Sequence, residues 1–231
     1  GPADEIGVFE MMETGLHEVP NPSALFISDY RNDVSGASVF AGMEGTRPML
    51  VEIQSLIAPS SQATPRRAVV GWDSGRLAMI MAVLEARCGV ALGGTEVYLN
   101  VAGGLKITEP AADMAVAAAL ISSVTGTPLP PETVVFGEVG LAGEARAVSQ
   151  TDARLKEAEK LGFSRAIIPK ARMRKGRAED KGKKTVGSDT SLIITEIDHL
   201  ADLVAKFPSA EHNHVSGPTT HASSEDTRTT G

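Results

Sequence analysis

The sequence predicts an α/β fold built on a mixed β-sheet, and three observations lead to it. Strand-like and helix-like segments alternate from residue 95 to residue 206, as in parallel strands joined by helices. Two strand-like segments within residues 38–57 are separated only by a short turn, so they should pair antiparallel. Of the 231 residues, 42% are hydrophobic but only 4% are aromatic, so aliphatic side chains must build the core.

The elements at the front of the chain follow from alternation and turn residues. Residues 1–34 alternate short apolar pieces with turns, which indicates a β-hairpin or an edge strand followed by an extended linker. Residues 38–45 and 48–57 predict two strands around a Gly-Thr-Arg turn. Residues 59–65 are polar and predict a loop.

The remaining elements follow from helical periodicity and from caps. Residues 73–87 predict a helix because their apolar residues share one face, with Asp73 as N-cap and Gly89 as the stop. An Ala-rich helix is predicted over residues 110–124, since Pro110 suits its first turn and Gly126 follows its end. The other predicted strands are 95–102, 133–139, 165–168 and 192–197, and the other predicted helices are 152–161 and 198–206.

Composition limits the function classes. The net charge is −7, but nine of the 29 acids and only two of the 22 cations lie in residues 1–60, so overall acidity does not exclude nucleic acid. Cys88 is the single cysteine, which excludes an internal disulfide and a Cys-based zinc site. The sequence has no apolar stretch of about 18 residues, so we expect a soluble, cytoplasmic chain without membrane contact.

The end of the chain is polar. From about Pro208, Ser, Thr, His, Gly and Glu dominate, and residues 208–231 are expected to form a disordered tail. His212, His214 and His221 lie in it, and a solvated tail is a better interpretation of them than a metal site. No metal ligands are predicted.

Three groups of motifs carry a family resemblance. The first is Asp4-Glu-Ile-Gly-Val-Phe-Glu-Met11 followed by Asn21-Pro-Ser23; the second is Thr64-Pro-Arg-Arg67 with Gly71-Trp-Asp73 and Arg76-Leu77; the third is Gly103-Gly-Leu-Lys106, Glu109-Pro-Ala-Ala-Asp113 and Gly137-Glu-Val-Gly-Leu-Ala-Gly-Glu144. Over roughly residues 3–207 the chain resembles the RadA/Sms family of bacterial DNA-repair ATPases, and within it a domain similar to the proteolytic domain of Lon.

The resemblance implies a domain organisation. Residues 1–34 would be the end of a RecA-like ATPase region and a linker, and residues 35–207 a Lon-protease-like domain of the type found in ribosomal protein S5 domain 2. The ATP, Mg and Zn sites of the family belong to upstream domains, and no G-x-x-x-x-G-K-[ST] motif occurs in this sequence. We therefore expect no cofactor in this chain, although the full-length parent would be a DNA-dependent ATPase.

The resemblance also locates the positions of a protease dyad. Lon-type proteases use a serine at a helix opening and a lysine about forty residues later, because the amine must take the proton of the hydroxyl. In this sequence those positions hold Ala111 and Asp152. A methyl group cannot attack a carbonyl, so we expect no catalytic residues and predict that this chain is not an enzyme.

Substitute groups for the dyad are available but poorly placed. Ser149 falls at a turn, where capping of the backbone is the commoner role of serine, and Lys156 is predicted to lie on an exposed helix face. Ser122 and Ser123 lie on the Ala-rich helix, and Glu138 has no identified partner. Structural roles are favoured for all five residues.

A dense basic segment suggests a second function. Between residues 165 and 184 only Glu179 and Asp180 oppose nine cations, which are Arg165, Lys170, Arg172, Arg174, Lys175, Arg177, Lys181, Lys183 and Lys184. Such density suits phosphate contacts, while the alternative is a solvated loop. Arg66, Arg67 and Arg76 are secondary candidates, with helix-end or inter-subunit ion pairs as the alternative.

These observations favour a non-catalytic role in recombinational repair and branch migration. The resemblance implies a hexameric ring, DNA (single-stranded or branched) as a partner, and contact with the RecA recombinase through the full-length protein. Two alternatives stay open: a Lon-type serine peptidase with an unrecognised nucleophile, and a pure protein-interaction module.

Overall fold

A seven-stranded mixed sheet organises the chain in the computed structural model, which describes residues 9–21, 23, 27, 33–171 and 190–207. A hairpin of β1 (Phe9–Met12) and β2 (Gly15–Glu18) precedes it. The strands of the sheet are, in chain order, β3 (Ala37–Glu44), β4 (Arg47–Pro59), β5 (Arg67–Val70), β6 (Thr95–Val101) and β7 (Thr133–Val135), and after the small pair β8 (Glu138–Val139) and β9 (Ala145–Arg146) come β10 (Arg165–Pro169) and β11 (Ile193–Ile197).

Four described helices accompany the strands. They are α1 (Ser74–Cys88), α2 (Asp113–Thr125), α3 (Thr151–Lys160) and α4 (Leu200–Val204), with short 3₁₀ turns at Ala102–Gly104 and Pro110–Ala112. None of the described helices is long and apolar enough to cross a membrane.

The order of strands across the sheet is β11-β10-β7-β3-β4-β6-β5. The β3–β4 and β4–β6 pairs are antiparallel, whereas β6–β5, β3–β7, β7–β10 and β10–β11 are parallel. The α/β class and the mixed sheet predicted from the sequence are thereby confirmed.

Helix α1 begins and ends as its sequence requires. The Asp73 side chain accepts a hydrogen bond from the Arg76 backbone N–H at 2.7 Å, and Gly89 adopts the left-handed conformation with φ of 68°. Leu77, Ile80 and Leu84 face the core on one side of this helix. The predicted cap, stop and apolar face of this helix are all confirmed.

Helix α2 is buried on every side over its first ten residues, from Asp113 to Ser122. It lies between the sheet and the helices α1 and α4. Its alanines have small side chains, so the surrounding elements approach the helix axis closely. The Ala-rich composition of this stretch thus serves a central helix with aliphatic neighbours.

Helix α3 covers the opposite face of the sheet, where it packs on β3 and β4. On that face Val39 and Leu50 have no exposed surface. The helices α1, α2 and α4 share the other face, so the fold has three layers.

The structure adds the short strand β9, shortens the last helix to Leu200–Val204, and differs from the predicted elements at three further places. The strand β5 was expected as part of a motif and not as a strand, since its four residues are too few to show alternation. The strand β4 has 13 residues and continues to Pro59. The strand predicted over residues 133–139 is broken at Gly137, where φ is 152°.

Candidate functional site

The site that the sequence singled out lies at the start of α2, in residues 109–113, which we call the helix opening. A 3₁₀ turn at Pro110–Ala112 leads into the helix. The Gly137 N–H donates to the Ala111 carbonyl at 2.8 Å, and the Met114 N–H donates to the Gly137 carbonyl at 3.0 Å. These two hydrogen bonds attach the helix opening to the backbone between β7 and β8.

The contact with Gly137 requires the absence of a side chain. A Cβ atom at this position would lie 2.3 Å from Met114 Sδ and 2.5 Å from Pro169 Cγ. Because φ of 152° is also a conformation that favours glycine, this residue fixes how closely α2 and β10 approach the turn.

An ion pair holds the first residue of the helix opening. Arg154 is only 2% exposed, and its Nη2 lies 2.7 Å from Glu109 Oε2. Its guanidinium also donates to the carbonyls of Ala41 at 2.7 Å and Ser149 at 3.1 Å, and lies 5.6 Å from the centre of the Phe136 ring. A buried cation with this many partners joins α3, β3 and the helix opening.

A second ion pair holds the last residue of the helix opening. Asp113 is fully buried, and its carboxylate accepts two hydrogen bonds from the Arg76 guanidinium, with Nε at 2.7 Å from Oδ1. The Val139 N–H also donates to Asp113 Oδ2 at 3.0 Å. The hydrogen bonds to Asp113 raise the pKa of Arg76 above its ordinary value, against the opposing effect of burial.

The two positions of the predicted dyad have different surroundings. Ala111 is 3% exposed and lies between the two ion pairs. Asp152 is exposed in the first turn of α3. At the position of the serine, the helix opening therefore has a buried methyl group, and the carboxylates on either side of it in sequence are already bound by arginines.

The substitute serines make hydrogen bonds with the backbone. Ser122 Oγ accepts from the Gly36 N–H at 2.8 Å and donates to the Thr127 carbonyl at 2.7 Å, and Ser123 Oγ accepts from the Ile57 N–H at 3.1 Å. Ser149 and Lys156 are exposed, at the turn before α3 and on its surface. These contacts are the structural roles expected for hydroxyl groups at a strand–helix junction.

The secondary basic candidates are separated by the fold. Arg66 and Arg67 are exposed at the start of β5, where the Arg67 guanidinium donates to the Thr95 carbonyl. Arg76 instead belongs to the buried pair with Asp113. The first two are available to a partner, while the third has its hydrogen-bonding groups largely engaged.

Only the first two cations of the basic segment are described. Arg165 is exposed at the start of β10. Lys170 is exposed just after that strand, with Nζ at 3.6 Å from Asp198 Oδ2. The other predicted DNA contacts, Arg172, Arg174, Lys175, Arg177, Lys181, Lys183 and Lys184, lie outside the described residues.

Sequence reasoning missed the pair of Arg154 with Glu109, and it gave an ion pair of Arg76 only as the alternative to DNA contact, without its partner Asp113. Glu109 and Asp113 flank the Pro-Ala-Ala sequence of the helix opening, and a charge beside such an apolar stretch needs a partner when it is buried. Arg154 lies two residues after Asp152 in a helix whose other charges are mostly exposed. The acids gave a signal that partners were needed, but nothing in the sequence identified those partners.

A comparison with protein families gives a match over residues 76–172. The family is described as ChlI, subunit ChlI of Mg-chelatase. The matched range begins at Arg76 and includes the helix opening, Gly137 and Arg154, so it covers both ion pairs.

Curated relatives match a larger part of the chain. The DNA repair protein RadA of Brucella abortus (strain 2308) is 58% identical over 210 residues, which is 91% of this chain and 43% of that protein. The proteins of the same name from Rickettsia felis and Halalkalibacterium halodurans are 55% and 50% identical over 170 and 169 residues, which are 74% and 73% of this chain and 38% and 37% of theirs. The chain spans about two fifths of the length of the curated relatives it matches.

These matches correct two expectations, that the chain is not an enzyme and that it takes no cofactor. The relatives and the ChlI match point to an ATPase-type enzyme, and with it to nucleotide and Mg²⁺. Both expectations depended on the missing G-x-x-x-x-G-K-[ST] motif and on a degenerate protease dyad. Those two observations test one phosphate-binding loop and one peptidase mechanism, which are too few to exclude ATPase chemistry.

The described ranges do not identify where these cofactors bind. Within them, no group of three or more His, Cys, Asp or Glu side chains could together hold a metal ion. Mg²⁺ in nucleotide sites is commonly bound through one or two carboxylates together with phosphate oxygens. Nucleotide and Mg²⁺ are therefore assigned to no described residue.

Proposed function

Because the chain belongs to the RadA family of DNA repair proteins, we propose that it acts in DNA repair as the part of an ATP-driven protein that assembles copies into a ring and contacts DNA. The observation that carries this proposal is the 58% sequence identity to the RadA protein of Brucella abortus over 91% of this chain. The proposal includes a division into residues 1–34, 35–207 and 208–231, action in the cytoplasm, and contact of the full-length protein with the RecA recombinase.

The basic segment is the proposed DNA contact. The segment from residue 165 to residue 184 contains nine cations and two acids. This excess of positive charge favours binding to DNA phosphates with release of counterions. The parallel pair of β10 and β11 holds the described residues on both sides of this segment. The two described cations of the segment, Arg165 and Lys170, therefore lie at the two ends of β10, beside the edge strand β11.

A scaffold role fits the helix opening. Two buried or half-buried ion pairs and the Gly137 contact stabilise this part of the fold. No hydroxyl of the kind a serine peptidase needs is available at Ala111, which is buried. We propose that this Lon-like region does not cleave peptide bonds and that its retained geometry serves assembly into a hexamer.

The DNA contact is tested by the salt dependence of binding. A variant with Arg172, Arg174, Lys175 and Arg177 changed to Ala should bind DNA more weakly, with a shallower slope of log affinity against log salt. The matched control changes Lys106, Lys156, Lys160 and Lys206 to Ala, which removes the same charge from exposed positions elsewhere. If the two variants have equal slopes of log affinity against log salt, the basic segment is not part of the DNA interface.

The scaffold role is tested by light scattering over a range of concentrations. A molar mass that rises toward a closed oligomer supports it, and a monomer at high concentration contradicts it. ATP hydrolysis by the chain, measured with and without DNA, tests the ATPase-type chemistry to which the relatives point. A peptidase would reveal itself by cleavage of unfolded casein or by labelling with a serine-reactive phosphonate.

A further inference from the structure

Part of one sheet face, toward the edge formed by β6 and β5, is left uncovered by the described residues. Helix α3 packs on this face over β3 and β4, whereas α1, the described helix that contacts β5, lies on the other face. On the uncovered part, Leu56 is 62% exposed and Val70 is 58% exposed. On the opposite face of the same strands, Val97 and Leu99 are buried. The alternation of the strands therefore presents two large apolar side chains to solvent.

The register of the strands places six residues in two rows on this surface, which we call the open face. Leu56, Tyr98 and Ala68 form one row across β4, β6 and β5, and Gln54, Asn100 and Val70 form the next. Neighbouring side chains of such rows lie about 5 Å apart on one face of the sheet. An extended chain laid across the strands could contact both rows.

The aromatic ring on the open face is only partly covered. Tyr98 is half-buried, and its neighbour Ala68 in the row is too small to shield the ring. Its hydroxyl donates to Glu96 Oε2 at 2.6 Å, which fixes the position of the ring. A fixed aromatic ring with an accessible side is the group on which an unpaired nucleobase stacks.

The second row supplies hydrogen-bonding groups. Asn100 Nδ2 donates to Gln54 Oε1 at 3.1 Å, and both side chains are exposed. Each amide keeps donor and acceptor capacity beyond this bond, which suits the edges of unpaired bases. Stacking and amide groups thus lie side by side.

The charges around the open face include one cation at its edge. Arg66 is exposed just before β5 and lies two residues before Ala68, so it is on the same face of the sheet as Tyr98, whereas Arg67 pairs with Val97 on the opposite face. The two acids on this face are engaged by neighbours, since Glu96 accepts from Tyr98 and Glu52 accepts from Gln54 Nε2 at 3.1 Å. Arg66 is therefore positioned for the phosphates of a strand whose bases lie on the two rows.

We propose that the open face binds single-stranded DNA, with a base stacked on Tyr98 and Leu56 and the backbone beside Arg66. This inference rests on the proposed contact with DNA and extends it to residues outside the basic segment. The basic segment has no aromatic residue, so it supplies phosphate contacts without stacking. The open face would then bind unpaired strands, while the basic segment would attract any DNA through its phosphates.

The experiment measures the affinity of the chain for a labelled oligothymidine and for a duplex by fluorescence anisotropy. Tyr98→Ala should weaken binding of the single strand about 10-fold, because stacking contributes on the order of 1–3 kcal/mol per base. Tyr98→Phe keeps the ring but loses the hydrogen bond to Glu96, so it should weaken binding less than Tyr98→Ala does. The matched control Leu141→Ala removes another large exposed side chain, 69% exposed, that lies between β8 and β9.

A second readout is independent of affinity. In a Tyr98→Trp variant the indole emission should fall when the oligothymidine binds, since a stacked base quenches it, while the buried Trp72 gives a constant background. Single-strand affinity unchanged in Tyr98→Ala, or binding of the Trp variant without quenching, would overturn the proposal.

The outcomes separate this inference from the proposed function. If the basic-segment variant loses DNA binding and Tyr98→Ala does not, the proposed function stands and the open face is excluded as a DNA site. If the unmodified chain binds neither the single strand nor the duplex, both the proposed function and this inference are contradicted. If Leu56→Asp lowers the molar mass in solution without changing single-strand affinity, the open face is a protein interface and the proposal is overturned.

Discussion

The guanidinium of Arg76 binds the carboxylate of Asp113 in a two-point ion pair whose partners differ in exposure. The side chain of Asp113 is completely buried, whereas that of Arg76 is 28% exposed. Loss of one partner therefore has a different cost from loss of the other. The buried carboxylate would be left without its cation, but the cation could still reach water.

The first prediction concerns this asymmetry. Arg76→Leu should lower the free energy of unfolding by about 3–5 kcal/mol, as expected when a buried charge loses its partner. Asp113→Ala should cost less, about 2 kcal/mol, since Arg76 turns toward solvent. Urea unfolding measures both. The control Arg146→Leu breaks the exposed pair with Glu144 and should change stability by less than about 1 kcal/mol.

The second prediction concerns Arg154. Arg154→Lys keeps the charge but cannot reproduce the separate bonds to Glu109, Ala41 and Ser149, so it should lower the free energy of unfolding by about 2–4 kcal/mol. Thermal unfolding should show a lower Tm. The adjacent exposed change Lys156→Arg is the control and should leave Tm nearly unchanged. A Tm of Arg154→Lys equal to that of the control would contradict the joining role of the guanidinium.

The third prediction concerns Gly137. Gly137→Ala should destabilise the fold by about 3 kcal/mol, because its Cβ would meet Met114 and Pro169 in a conformation that already disfavours side chains. Gly162→Ala is the matched control: its φ is also positive, 84°, but nothing lies within 4 Å of the added Cβ. It should cost about 1 kcal/mol. Equal losses in urea unfolding would show that close contact is unimportant at Gly137.

The fourth prediction concerns His199, which connects the turn between β8 and β9 with α4. Its Nδ1 accepts from the Ala201 N–H at 3.0 Å, and its Nε2 lies 2.8 Å from the Ala142 carbonyl oxygen. His199→Ala should cost about 1–2 kcal/mol through the lost N-cap. His199→Asn keeps a capping oxygen and should recover much of that loss in the same unfolding measurement. No recovery would indicate that the contact with Ala142 dominates.

The fifth prediction concerns pH. Hydrogen bonds from Ser191 lower the pKa of Glu159 below its ordinary value of 4.5. The ionised form is thus favoured in the folded state, and its stabilising effect is present above the ordinary pKa and is lost as pH falls through the lowered one. Glu159→Gln should therefore be less stable than the unmodified chain at pH 7. The two should converge below pH 4.5 in urea unfolding, and a constant difference would contradict the assignment.

The sequence predicted the elements whose signals are local. Asp73 and Gly89 bounded α1 because caps act on their own helix, and Pro110 marked the opening turn of α2. The break at Gly137 could not be predicted, since it depends on Met114 and Pro169 from other elements. The open face was missed because it needs the register of three strands, one of which, β5, is only four residues long.

The candidate site was predicted in position but not in its contacts. The pattern around Ala111 located the helix opening, since family motifs are contiguous in sequence. The partners of its acids, Arg76 and Arg154, are 37 and 45 residues away from them along the chain, and only the fold brings them together. The expectations that the chain is not an enzyme and takes no cofactor were wrong. They depended on a missing phosphate-binding motif and a degenerate dyad, and the matches to relatives were needed to correct them.

The order of strands in the sheet has a consequence for synthesis on the ribosome. The four strands β3, β4, β6 and β5 are neighbours in the sheet and are complete by residue 101, whereas β7, β10 and β11 are added at the other side of β3. The first four can pair as soon as they emerge, because their contacts need no later residue. Until β7 arrives, however, β3 presents a free edge, and the nascent chain passes through a stage in which its central strand is open to unwanted pairing.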